Sequence, residues 1–145
     1  METGLLHLHS YLPYILLPLL VISAVLFWVK TAQSDASFGK MDKRLALFTL
    51  IFSHLQLVFG LLLYFIGPKG FQYLSQEGFM KNSVARFYAV EHISVMIIAI
   101  VLITIGYSRA KRSLEMPKKF RTLAIFYTLG LILILSRIPW EAWLS

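Results

Sequence analysis

Cysteine is absent from the 145 residues. That excludes disulfides, thiolate metal ligands, iron–sulfur clusters and the Cys-x-x-Cys-His attachment of c-type haem. Charge is scarce too: 14% of residues are Asp, Glu, Lys or Arg, against about 25% in an ordinary soluble domain. Acids are the rarer sign, seven in all, and they are scattered along the chain. No carboxylate pair suited to hydrolysis is visible, and Ser10, Ser53 and Ser94 have no recognisable triad context. What is present is apolar. Hydrophobic residues make up 58% of the chain, and the mean hydropathy is +0.72.

Crossing a bilayer takes a run of about 20 mostly apolar residues, and four such runs are visible. The pattern predicts an all-α integral membrane four-helix bundle, a single transmembrane domain over 1–145 with helices at about 5–29, 45–66, 83–107 and 122–139. The first run has no positive region ahead of it, unlike a cleaved signal peptide. Pro13 and Pro18 lie within it, and each frees the carbonyl four residues earlier. For Pro13 that carbonyl belongs to His9. Such prolines are tolerated in a membrane when a neighbouring helix satisfies the freed group. Gly67-Pro68-Lys69-Gly70 ends the second run sharply. The stretch to Asn82 keeps Phe71, Tyr73, Leu74, Phe79 and Met80 among polar residues, as a partly interfacial lid would. Ser83 is the expected N-cap of the third helix.

The net charge of +7 has a location. Lys30, Lys40, Lys43, Arg44, Arg109, Lys111, Arg112, Lys118, Lys119 and Arg121 all lie between runs one and two or between runs three and four. Only Asp35, Asp42 and Glu115 offset them. At the other end, Lys69, Lys81, Arg86 and Arg137 balance Glu2, Glu77, Glu91 and Glu141. The excess is therefore topological and implies no nucleic-acid partner. By the positive-inside rule the basic loops are cytoplasmic, facing anionic lipid, and both termini are periplasmic. The expected location is a bacterial inner (cytoplasmic) membrane, crossed several times. Trp140, Trp143, Tyr11 and Tyr64 suit an aromatic belt on the outer side.

Ionisable residues inside a bilayer are costly and mark function by default. The stretch Ala85-Arg86-Phe87-Tyr88-Ala89-Val90-Glu91-His92 opens the third run with three of them. At helical spacing Ala85, Ala89, His92, Met96 and Ala99 share a face, where small residues leave room for a flat group or a close helix. At 1.5 Å rise per residue, His9 lies at the outer boundary, His92 roughly 6 Å below it and His54 roughly 16 Å below it. His9 and His92 are thus nearest in level. They are the expected axial pair for a haem iron, with His54 as the alternative ligand; two imidazoles from different helices suit electron transfer. Arg137 and Arg86 are the cations placed to pair with haem propionates. Glu91 is placed to orient a ligand imidazole or relay protons. Gln56 and Ser53, close to His54, are candidates for a quinone carbonyl. His7 reads as interfacial, pointing away from His9, and Met96 as packing.

These residues resemble a family of small four-helix membrane proteins of Bacteroidetes labelled cytochrome b. The matching pieces are Leu8-His9-Ser10, then His54-Leu55-Gln56-Leu57 on to Gly60 and Leu63-Tyr64. Glu91-His92 with Val95-Met96, Thr104-Ile105-Gly106, and Lys119-Phe120 through Ile138-Pro139-Trp140 complete the match, which spans nearly the whole chain. Pro13-Tyr14 stands where the family pattern tends to show Arg-Trp. A fainter similarity of layout links the chain to the haem-containing protoporphyrinogen oxidases: a histidine opens helix one, Asp42-Lys43-Arg44 precedes helix two, and a histidine opens helix three.

The resemblance implies haem b and electron transfer, between the quinone pool and a membrane or periplasmic partner. Two other functions compete with it. One is a membrane oxidase acting on a porphyrinogen-type substrate beside the haem. The other is a non-enzymatic accessory or anchor subunit of a membrane complex, in which the histidines ligate metal or only pack helices.

Overall fold

The computed structural model describes residues 1–33 and 35–145. Proline makes the first break. Pro13 has no N–H to continue the helical ladder, so the first run is two pieces, α1 (Glu2–Tyr11) and α2 (Pro13–Thr31), joined at Leu12. Pro18 is carried inside α2. α3 runs unbroken over Lys40–Ile66, and the chain then turns through Gly70 at φ 111°, a conformation that favours glycine. Two short 3-10 turns, Phe71–Ser75 and Phe79–Lys81, carry it to the third run. That run opens as α4 (Ser83–Arg86), passes through one π turn (Phe87–Glu91) and continues as α5 (His92–Arg112). α6 covers Met116–Ser136 and α7 Trp140–Leu144. No strand occurs among the described residues.

The helix ends differ from the sequence expectation for local reasons. α3 starts at Lys40 rather than 45 because the Asp42 carboxylate accepts the Gly39 N–H at 2.9 Å, tying down a donor that a helix leaves free. α6 starts at Met116 rather than 122, with Pro117 in its first turn, where the missing N–H is not needed. It stops at Ser136 rather than 139, since a proline at 139 disfavours helical geometry at the residue before it. The cap of α4 is Asn82, not Ser83: its side chain accepts from Val84 N (3.0 Å) and Ala85 N (3.1 Å). Apolar periodicity registers none of these polar bonds.

Four helical stretches, Glu2–Thr31, Lys40–Ser75, Ser83–Arg112 and Met116–Ser136, are long and apolar enough to cross a membrane. α2, α3, α5 and α6 close into a ring, α3 lying between α2 and α5, and α6 between α5 and α2. Large apolar side chains cover the outside: Val21, Ile22 and Val25 on α2, Val58 and Leu62 on α3, Ile98 and Val101 on α5, Ile132 on α6. Such a surface is suited to lipid.

Inside, the helices approach through small residues, as membrane helices do when water supplies no drive to associate. The buried positions of α3 are Asp42, Ala46, Thr49 and Ser53. Ser23 on α2 bonds Thr49 at 3.0 Å, and the Tyr127 hydroxyl of α6 donates to the Ala46 carbonyl at 2.7 Å. On α5 a Cβ at Gly106 would stand 2.3 Å from the Cβ of Phe126, and on α6 one at Gly130 would stand 2.6 Å from Ile103. At the basic end Lys30 pairs with the buried Asp42, and Phe27, Phe38 and Phe120 fill the space beside them. At the opposite end the two termini meet. Trp143 of α7 donates its indole N–H to the Ser10 carbonyl at 2.7 Å and packs its ring on Tyr14 at 4.8 Å.

Candidate functional site

A proline-broken helix has free carbonyls, and where they go defines this site. Pro13 cannot donate to the carbonyl of His9, and the group is satisfied from another helix: Gln56 of α3 donates its Nε2 at 2.8 Å. The same amide nitrogen meets His9 Nδ1 at 3.0 Å. His9 is held from a third side as well, because its Cε1 would lie 2.8 Å from any Cβ at position 60, which is glycine. α1 thus lies against α3 through one imidazole seated in a glycine notch.

The π turn does the equivalent work on the third run. One wide turn shifts the face that the following residues present, and such turns recur at functional positions. Within it the Ala89 carbonyl accepts from the Tyr64 hydroxyl at 2.8 Å. Immediately after it comes His92, whose Nδ1–H donates to the backbone carbonyl of Arg137 at 2.7 Å. The His9 and His92 rings are 6.2 Å apart by their centroids, at 86° to one another. Both line a cavity of about 640 Å³ at the end of the bundle where the termini meet, and every spanning stretch contributes to its wall. Gln56, Gly60, Tyr88, Met96, Ile134 and Trp143 are among the other lining residues. The volume falls in the range of cavities that hold drug-sized ligands and cofactors.

The charged residues stand together beside this cavity. Glu91 Oε2 accepts from Arg86 Nε at 3.1 Å, and Glu91 Oε1 faces Arg137 Nε at 3.6 Å. Arg86 also donates to the Met80 carbonyl, and Arg137 to the Ser136 carbonyl. One carboxylate therefore holds both of the cations expected to serve propionates. Glu91 does not touch an imidazole. It reaches His92 through Arg137, whose side chain it holds and whose carbonyl receives the imidazole proton.

The structure brings together His9, His92, Arg137, Glu91 and Arg86 and leaves His54 apart. His54 is exposed on the outer face of α3, its Nε2 against Thr104 Oγ1 at 2.9 Å, and it is not in the cavity wall. Ser53 is buried and donates to the Thr49 carbonyl. Gln56 turns to His9, so the grouping of Gln56 and Ser53 around His54 does not form. His7 is exposed beside Tyr11 and lies in the wall of the same cavity as His9. Tyr64 and Trp143, expected in an outer belt, both spend their polar atoms inside the bundle.

Compared with protein-family models, curated proteins and solved structures, the chain matches none. Length, composition and helix arrangement define the class: a multi-pass membrane protein of the four-helix-bundle kind.

The residues can be tested against a haem by the chemistry of their atoms. With its Nδ1 proton on a carbonyl, His92 keeps a lone pair on Nε2, and a second bond of this kind is the usual companion of a metal-ligating imidazole. Two arginines stand at the same end for carboxylates. The donor set fits. Among the described residues, no group of three or more His, Asp or Glu stands close enough to hold a bare metal ion.

Proposed function

We propose that this protein is a haem b-binding membrane cytochrome of the bacterial inner membrane, with the cavity between His9 and His92 as the haem site. The observation that carries this reading is the His92 Nδ1–H bond to the Arg137 carbonyl, which leaves Nε2 as an acceptor on a ring that lines a cofactor-sized cavity. Bound there, haem b would supply one-electron chemistry, and the chain's part is to hold and tune it. His92 would hold the group through its Nε2, with its ring oriented by the Arg137 carbonyl, and Arg137 and Arg86 would be the cations for its propionates. The partners are the lipid bilayer, the quinone pool as electron source, and a membrane or periplasmic acceptor. The positive-inside rule puts the basic loops in the cytoplasm and both termini and the haem end toward the periplasm.

The test is an absorption spectrum of the full chain purified in detergent from haem-replete cells. A Soret band that shifts on reduction and is lost in His92→Ala is expected. Protein that is colourless in the Soret region would overturn the proposal.

A further inference from the structure

Beyond the haem reading, we infer that α1 is a hinged gate to the cavity, swinging about Leu12–Pro13 and latched shut by Gln56 and Trp143. The hinge comes from the proline break. Among the described residues no backbone hydrogen bond runs directly from α1 to α2. Leu12 alone links them, with its N–H on the Leu8 carbonyl and its own carbonyl on the N–H groups of Ile15 and Leu16. Helices bend where the ladder is interrupted, and proline is a common cause. A junction this thin lets the segment ahead of it pivot.

Little else fixes α1. The helices α2, α3, α5 and α6 each bury side chains in the bundle, and α1 buries none. It nevertheless gives Glu2, Leu6, His7, His9, Ser10 and Tyr11 to the cavity wall. Segments with few buried contacts open at low cost, and lids are drawn from them. What holds α1 closed are polar bonds to carbonyls next to the break. The Gln56 amide nitrogen of α3 meets the His9 carbonyl at 2.8 Å and His9 Nδ1 at 3.0 Å. Trp143 of α7 takes the Ser10 carbonyl at 2.7 Å. Because α7 also buries nothing, this side of the cavity is closed by the two chain ends fastened to each other. Opening breaks these bonds and lifts the His9 ring out of its notch at Gly60. His9 travels with α1, whereas His92 stays on α5, held to the Arg137 carbonyl. The two histidines therefore line the cavity together only when the gate is shut, and a cofactor-sized ligand enters before closure.

The experiment follows the reaction of one thiol, Ile100→Cys, with a charged methanethiosulfonate, in the full chain purified from haem-depleted cells and placed in lipid nanodiscs. Ile100 lies in the cavity wall and is 4% exposed, and the chain has no cysteine of its own. A charged reagent does not cross the hydrocarbon, so it arrives through the mouth of the cavity. Slow labelling is expected when both latches are present. Trp143→Phe removes the indole N–H and keeps an aromatic ring beside Tyr14. It is expected to speed labelling about three- to twenty-fold, the shift in open population that the loss of one interhelical bond gives. Gln56→Leu is expected to speed it at least as much. Thr128→Val removes the 2.8 Å bond from Trp28 elsewhere in the bundle and is expected to leave the rate unchanged. A latch variant that labels no faster than the parent, or equal acceleration by Thr128→Val, overturns the gate. The readout needs no Soret band, so the gate and the haem reading fail separately.

Discussion

The Nδ1–H of His92 ends on the backbone carbonyl of Arg137, 2.7 Å away. The residue following α6 therefore acts on the imidazole by its main chain, while its side chain is engaged with Glu91. The two contributions separate by mutation. Arg137→Ala keeps the carbonyl and loses a partly exposed ion pair, which costs no more than about 1 kcal/mol of stability. On the haem reading, Arg137→Ala retains most of the Soret absorbance per protein, whereas His92→Ala loses it at least tenfold (about 1.4 kcal/mol or more of binding). Equal loss in both variants would show that the guanidinium, and not the carbonyl, is the part that matters.

Gly60 is where α1 and α3 come closest at the cavity. A methyl group there would stand 2.8 Å from His9 Cε1. Alanine is favoured over glycine in a helix by about 1 kcal/mol, so an unhindered Gly→Ala change would stabilise. Gly60→Ala is instead expected to destabilise by about 1–3 kcal/mol through overpacking, measured by unfolding in detergent. Gly4→Ala is the control, since a Cβ at Gly4 has nothing within 4 Å, and it is expected to be neutral or stabilising. A stabilised Gly60→Ala protein would mean that the His9 ring is not seated as described.

How much of this could be read from the chain follows from which forces leave a trace in sequence. Four apolar runs and their basic loops are written in composition, so the four helices were legible. So was the free carbonyl at His9, because Pro13 announces it, and Gln56 supplies the partner from another helix. The nearness of His9 to His92 followed from counting depth along two helices. His54 could be counted in the same way, but depth says nothing about facing, and it points outward to Thr104. The π turn before His92 has no sequence signature, and the bond from Trp143 to Ser10 joins the two ends of the chain. Glu91 between Arg86 and Arg137 was present in the sequence as three charges near one level. That one carboxylate engages both arginines is a matter of side-chain reach.

The contact between α5 and α6 rests on backbone proximity at Gly106. Its added Cβ would stand 2.3 Å from Phe126 Cβ and 2.9 Å from Phe126 Cγ. Gly106→Ala therefore pushes the helices apart, with an expected loss of about 1–3 kcal/mol. Phe126→Ala does not rescue it, because the closest clashing atom is the Cβ that alanine keeps, whereas Phe126→Gly partly does. Rescue by Phe126→Ala would locate the conflict in the ring and would revise the packing of these two helices.

Ser23 and Thr49 make a buried side-chain bond between α2 and α3 at 3.0 Å, and each is fully enclosed. Interhelical bonds of this kind average about 0.6 kcal/mol in membrane proteins, since the separated helices also find partners. Thr49 has the Leu45 carbonyl of its own helix at 2.8 Å as a further partner. A double-mutant cycle of Ser23→Ala and Thr49→Val is expected to give a coupling below about 1 kcal/mol. A coupling of several kcal/mol would make this bond a main determinant of how α2 meets α3.

The absence of cysteine makes orientation directly measurable, because any introduced thiol is the sole one in the chain. Leu114 is 93% exposed between α5 and α6, in the loop rich in Lys and Arg. Gln76 is exposed at the opposite end, between α3 and α4. Loops of this length with a strong Lys and Arg excess stay on the cytoplasmic side. In intact cells a membrane-impermeant maleimide is therefore expected to label Gln76→Cys and to reach Leu114→Cys only after the membrane is opened. The reverse pattern would turn the bundle over and place the His9–His92 cavity toward the cytoplasm.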